Sequence, residues 1–444
     1  MTDASERQES TPDLAQDNPA PLAIGGRGES RIASLDFIRG IAVMGILLAN
    51  IVVFGQPMTA YMWPDGFLGP DGDPLGILWA AQFVLIDGKM RGLFTLLFGA
   101  GLYLFMERAW AKGASRWLQA RRLAWLMAFG AVHYYLVWRG DILMSYAFAG
   151  FFGLLFLKWG RKTQLVAGLI GFVLGALVLL AFVGPLYFVA ETPFGTTGEF
   201  ADMRNQLIAD RDADIALGLE EAALIQSGDY GAWVTLNFAE HGATPLFYFF
   251  LALMETVPLM LIGMALYRYG LFDGGIERRK LIRWGWAGVA AGVALTTPLA
   301  LFALSTGLTY YSTLSSVVGF APLARLPMIL GLIALLAAYV PRNPGALATR
   351  VSAAGRMAFS NYLGTSIVML IVFHGWGVGL FGELNRPQLY FVVLGVWALM
   401  LAWSKPWLAR FRFGPLEWLW RCLTYGRAFA IRRDPGQVTP SSGK

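Results

Sequence analysis

A chain of 444 residues that is 56% hydrophobic and only 14% charged lacks the polar surface to coat a water-soluble globule, which runs near a quarter charged. Its net charge of +6 is spread in short clusters between apolar runs, where anionic lipid headgroups are a simpler partner than nucleic acid. The single cysteine, Cys422, excludes an internal disulfide and fits no Cys/His metal-ligand spacing, so no metal is expected.

Residues 1–30 are polar and rich in Pro, Gly, Ser, Asp and Glu, too poor in apolar surface to fold. They read as a disordered cytoplasmic tail, and no cleaved signal peptide is expected. Stretches apolar enough to cross a hydrocarbon core roughly 30 Å thick follow at about 35–55, 77–106, 123–138, 141–157, 164–186, 244–267, 284–304, 313–340, 357–381 and 388–404. The fold class is therefore an all-α polytopic transmembrane bundle of about ten spans. Two five-span halves, 31–186 and 244–430, flank a loop at 187–243, and 431–444 forms a second tail.

Basic clusters follow every second span: Arg108 to Arg122, Lys158 to Lys162, Arg268 to Arg283, Arg342 to Arg356, and Lys405 to Arg427. By the positive-inside rule these lie in the cytoplasm, which puts both termini there. The loop at 187–243 carries ten acidic residues against only Arg204 and Arg211, so it is expected outside. Its middle, 199–226, mixes Met203, Leu207, Ile215 and Leu224 with charges, as an amphipathic surface helix does. A plain surface linker is slightly favoured over a lid, and His241 is expected in solvent.

The stretch from Leu123 to Trp138 rises only about 24 Å as helix. Arg139 and Asp141 should then sit below the outer lipid surface, paired or hydrated. Asp36 and Arg39 share a helix face at i and i+3. On physical grounds they read first as an anchoring ion pair, with recognition of a phosphate or carboxylate by Arg39 as the functional alternative. Lys89, Arg91, His133, Glu255 and His374 are intramembrane or interfacial ionisable groups, and such groups usually face a cavity. Together with Asn50, Arg139 and Asp141 they are expected to converge on one outward-biased polar cavity. His133 is a candidate base and Asp141 its orienting carboxylate, with cations nearby for an oxyanion. A buried, hydrogen-bonded structural histidine is an equal reading of His133. His374 before Gly375 and Trp376 reads as interfacial, and Glu255 also suits proton-coupled transport.

The run Leu35-Asp36-Phe-Ile-Arg39-Gly40 through Asn50 resembles the YeiB-like bacterial membrane proteins, whose C-terminal half is domain of unknown function 418. So do Lys89-Met-Arg-Gly through Gly101, Arg121 through His133 to Asp141, Leu261-Ile-Gly263, Gly355-Arg356 to Tyr362, and Phe413-Gly414-Pro415 to Arg421. The Asp-x-x-Arg-Gly start is more distantly similar to transmembrane acyltransferases, including bacterial carbohydrate O-acyltransferases and the lysosomal heparan-alpha-glucosaminide N-acetyltransferase. Where the carbohydrate enzymes carry a catalytic His this chain has Asn50, and residues 51–75 hold no His. His133 with Asp141 is then the best replacement. The resemblance implies a transferase-like protein moving an acyl group from a cytoplasmic donor to an envelope acceptor. Arg39 would hold donor phosphate, and Lys89 or Arg139 would stabilise the oxyanion. Acyl-CoA would be a co-substrate rather than a tightly bound cofactor, and the acceptor a small molecule, lipid or carbohydrate. The alternative is a transporter or exporter of a small metabolite without covalent chemistry. Oligomerisation is left open.

Overall fold

A computed structural model describes residues 29–341 and 344–433. The expected tails beyond those limits, and Arg342 of the basic series, lie outside the described residues. The protein is an all-α polytopic membrane protein, and the only β pairing among the described residues is a bridge between Phe411 and Arg432. Glu29 and Ser30, expected in the tail, begin the first helix, and Ile431 and Arg433 hydrogen-bond back to Arg412 and Arg410.

The first half comprises α1 (Glu29–Gly55), α2 (Ile77–Leu85), α3 (Lys89–Ala111), α4 (Arg116–Leu136), α5 (Leu143–Gly153) and α6 (Arg161–Val183). The connecting segment forms α7 (Leu186–Glu191), α8 (Phe200–Ser227) and α9 (Tyr230–His241). The second half comprises α10 (Thr244–Leu251), α11 (Val257–Arg268), α12 (Arg278–Ser305), α13 (Tyr310–Leu314), α14 (Ala321–Tyr339), α15 (Ala346–Arg356), α16 (Ala358–Phe373), α17 (Arg386–Arg410) and α18 (Pro415–Tyr425). Single π-helical turns join α10 to α11 (Ala252–Thr256) and α13 to α14 (Ser315–Phe320).

Six helices among the described residues are long and apolar enough to cross a membrane, and the pair α15–α16, bent by 86°, makes a seventh at most. The expected second span breaks into α2 and α3 at Gly88, whose φ of +74° is a conformation only glycine adopts cheaply. Burial follows the inside-out logic of a bilayer. Only 22% of the most apolar stretch of α12 and 28% of that of α17 is covered by protein, whereas α1 and the α10–α11 span are more than half covered. Lipid therefore solvates the outer helices and the inner ones carry the polar groups.

Glycines let the inner helices touch backbone to backbone. A Cβ on Gly263 would overlap the Leu96 carbonyl and one on Gly99 the Met260 carbonyl, so α3 and α11 pack at their closest there. Gly40 meets the Val351 carbonyl and Gly355 that of Asp36, which docks α15 on the polar start of α1. Gly263→Leu is expected to cost about 3 kcal/mol or more, because backbone rather than a mobile side chain blocks the new atoms. Thermal melting of the detergent-solubilised variant checks this.

Candidate functional site

Val137 and Trp138 both donate to the His133 carbonyl and end α4, and the chain turns through Arg139–Ile142 into α5. Asp141 Oδ2 accepts the Met144 N–H at 2.8 Å, one of the unpaired donors at the start of α5. Its Oδ1 lies 2.8 Å from His133 Nδ1. A carboxylate only accepts, so the proton sits on Nδ1 and the lone pair of the neutral ring falls on Nε2. That Nε2 is buried and has no partner, and His133 as a whole is 1% exposed. Tyr362 on α16 packs its ring 5.3 Å from the imidazole and accepts the Ile142 N–H at 3.1 Å.

Below Tyr362 opens a cavity of about 610 Å³. Its deep end is apolar, walled by Phe94, Phe98, Leu126, Leu143 and Tyr146, with the Tyr362 ring at the boundary. Its mouth, at the face where the basic clusters gather, is lined by Arg39, Arg108, Lys112, Arg122, Arg356, Arg412 and Arg421 against only Asp36 and Glu417. Arg39 is braced by Asp36 at 3.2 Å, as the i, i+3 spacing foretold. Arg122 lies between the Phe105 and Trp420 rings, at 4.7 and 4.2 Å, and Arg421 over Phe413, Tyr425 and Phe429. Aromatic faces hold planar guanidinium groups in a fixed orientation. The Glu417 carboxylate caps the start of α16, accepting from the Phe359 and Ser360 N–H groups at 2.8 and 3.1 Å and from the Ser360 hydroxyl. Burial raises its pKa and those hydrogen bonds hold it back.

On the opposite side of His133 is a chamber of about 50 Å³, lined among others by Phe54, Trp138, Arg139, Gly218, Glu221, Ser366 and His374. α8 and α9 roof it. Glu221 pairs with Arg139, and its Oε1 lies 2.5 Å from His241 Nε2. His241 is therefore not solvated as expected: its side chain is only 14% exposed and helps fasten the roof. The helix expected at 199–226 exists as α8, and its last third is buried against the bundle through Glu221, Ala222 and Ile225.

The single outward-biased cavity does not form. Lys89 is 1% exposed and donates to the Phe83 carbonyl at 2.5 Å, its ammonium over the Phe83 ring. It secures the α2–α3 turn and does not face His133. Arg91 and Arg325 clamp Glu255 Oε2 at 2.6 and 3.1 Å from either side, with Glu255 carried on the π-helical turn. This cluster touches the cavity wall only indirectly, where the Tyr146 hydroxyl donates to the Arg91 carbonyl. Asn50 is half-buried near the end of α1 and lines neither void.

His374 ends α16, its ring edge-on to Trp233 at 5.4 Å and near Tyr230 and Trp376. Burial lowers its pKa from the ordinary 6.5 to about 4. The folded protein holds this imidazole neutral while the unfolded chain protonates it below pH 6.5, so stability is full above 6.5 and declines as pH falls toward 4. Melting temperature across that window should fall for the wild type and fall less for His374→Phe. An unchanged slope in the variant would assign the effect to other groups.

Residues 266–427 match the family described as protein of unknown function DUF418. The chain is 30% identical to "Uncharacterized protein YeiB" of Escherichia coli (strain K12), over 89% of its own length and 96% of the relative's. It is 31% identical to "Uncharacterized protein YxaH" of Bacillus subtilis (strain 168), over 89% and 94%. With an "Uncharacterized 39.9 kDa protein in amylase 3'region" of Bacillus acidopullulyticus it shares 26% identity over 93% and 97%. No solved structure matches it. At 30% identity over 96% of the length of one relative and 31% over 94% of another, the chain belongs to the YeiB-like DUF418 family.

Proposed function

We propose that this protein is a membrane acyltransferase that takes an acyl group from a cytoplasmic acyl-CoA and passes it to an acceptor on the other side of a bacterial inner membrane. One observation carries the reading: the cavity with a basic mouth and an apolar depth ends at Tyr362, and directly behind that ring stands a histidine oriented by a carboxylate. The mouth suits the phosphates of a CoA, and the depth suits the pantetheine and acyl portions. His133 Nε2 would take the acceptor's proton and return it to the leaving thiolate, with Asp141 holding the tautomer and stabilising the imidazolium. Tyr362 and Trp138 seal His133 from either void, so turning of one of these rings would bring the reactants to it. Positive-inside placement puts the basic mouth in the cytoplasm.

The test is a sided one. Inverted membrane vesicles from cells overproducing the protein expose the mouth, and acetyl-CoA labelled in the acetyl group should leave label in the membrane or lumen. Right-side-out vesicles given the same donor should not. Equal labelling in both orientations, or none above vesicles lacking the protein, overturns the reading.

A further inference from the structure

The chamber under α8 and α9 is separate from the donor cavity and from the Arg91–Glu255–Arg325 clamp, and its chemistry is specific. Two of its lining residues carry buried polar atoms without a protein partner: Trp138 Nε1, a donor, and His374 Nδ1. Trp138 is 8% and His374 5% exposed, so bulk water does not reach them freely. Two other polar lining residues already have partners. Glu221 is engaged by Arg139 and His241, and Gln56 by the Leu384 carbonyl and the Leu68 N–H.

In the tautomer with the His374 proton on Nε2, a group that satisfies both orphaned atoms accepts from the indole N–H and donates to Nδ1, and a hydroxyl does both. An ammonium cannot accept from Trp138 and would lie beside the Arg139 guanidinium. A carboxylate cannot donate to His374 and would meet Glu221. Burial favours the neutral His374 imidazole, which carries one ring nitrogen as an acceptor. The size agrees: about 50 Å³ exceeds the roughly 10–15 Å³ one water needs, enough for a hydroxymethyl end but not for an acyl chain. Trp138 closes the chamber on the side of His133, ring centres 6.2 Å apart.

We infer that this chamber is the acceptor site, and that the acceptor presents an uncharged hydroxyl rather than an amine. The inference rests on the acyl-transfer reading and specifies its second substrate. The acceptor oxygen forms a bond to the acyl carbon, the carbon–sulfur bond of the thioester breaks, and the hydroxyl proton passes through His133 to the departing thiolate. The products are an ester and CoA thiol.

Gly218→Leu fills the chamber from the roof. A Cβ there finds its nearest atoms at 3.7 and 3.9 Å, and the exchange favours helix, so the fold is retained. The experiment uses the full chain in inverted vesicles with labelled acetyl-CoA. Label that depends on His133 should be released by mild alkali or hydroxylamine, as an ester is. Gly218→Leu and Ser366→Leu, approaching from opposite walls, should each cut it at least tenfold while acetyl-CoA binding to the purified proteins stays within twofold. Alkali-stable label, the mark of an amide, overturns the hydroxyl assignment, and full labelling by both variants shows a chamber that holds water only. Absence of label from the wild type, or absence of donor binding to it, instead removes the acyl-transfer reading beneath the inference.

Discussion

Asp141→Asn should lower acyl transfer about 10⁴-fold, the scale of loss when the carboxylate orienting a histidine base is neutralised, while acetyl-CoA still binds. The reason lies in the two bonds the carboxylate makes. Asp141 offers one oxygen to the Met144 N–H and the other to His133 Nδ1. An asparagine has a single oxygen, and the fixed α5 N–H claims it. Its NH₂ then faces Nδ1, which must become the acceptor, so the imidazole proton moves to Nε2 and the base is lost. His133→Ala should lose as much, and the double variant little more, since the pair acts as a unit. The checks are initial rates of label transfer in inverted vesicles alongside acetyl-CoA binding. Wild-type transfer by Asp141→Asn would reduce the pair to a cap on α5. Movement of an unmodified solute across the membrane would then favour the transporter alternative.

The membrane character, the helical composition and the His133–Asp141 pair were legible in the sequence because each depends on local information. Apolar run lengths identify membrane helices, and eight residues of separation across a forced turn bring His133 and Asp141 together. Long-range geometry was not legible. Lys89, Arg91 and Glu255 stand out in the sequence as intramembrane charges, yet nothing local says that Lys89 turns back to the Phe83 carbonyl or that Arg325 completes the clamp on Glu255. Arg325, itself a charge inside an apolar run, meets the same criterion and was missed. Tyr362 falls in a segment that matches the family but has no role legible there, because a tyrosine in an apolar helix carries no signal until its neighbours are known. An acidic loop implies a solvated His241, whereas that loop folds down and its Glu221 seizes both His241 and Arg139. The direction of the cavity also reversed: the basic residues read as a topology signal are at the same time the lining of its mouth.

That double use of the arginines yields the second large effect. Removing one guanidinium that hydrogen-bonds a phosphate costs about 1.5–3 kcal/mol, so Arg421→Ala and Arg122→Ala should each weaken acetyl-CoA binding about 10- to 100-fold. Binding should become less sensitive to salt in both. Lysine is a sharper probe than alanine. Arg421→Lys keeps the charge but gives up the planar stacking on Phe413, Tyr425 and Phe429, so an intermediate loss would show that orientation as well as charge is being used. Phe98→Trp, at the apolar end, should weaken palmitoyl-CoA more than acetyl-CoA, because only the longer chain competes with the added ring for that volume. Isothermal titration with the two thioesters measures both ends of the cavity at once. If the mouth variants leave both affinities unchanged while Phe98→Trp lowers both equally, the ligand enters apolar end first from the lipid side, and the arginines serve topology alone.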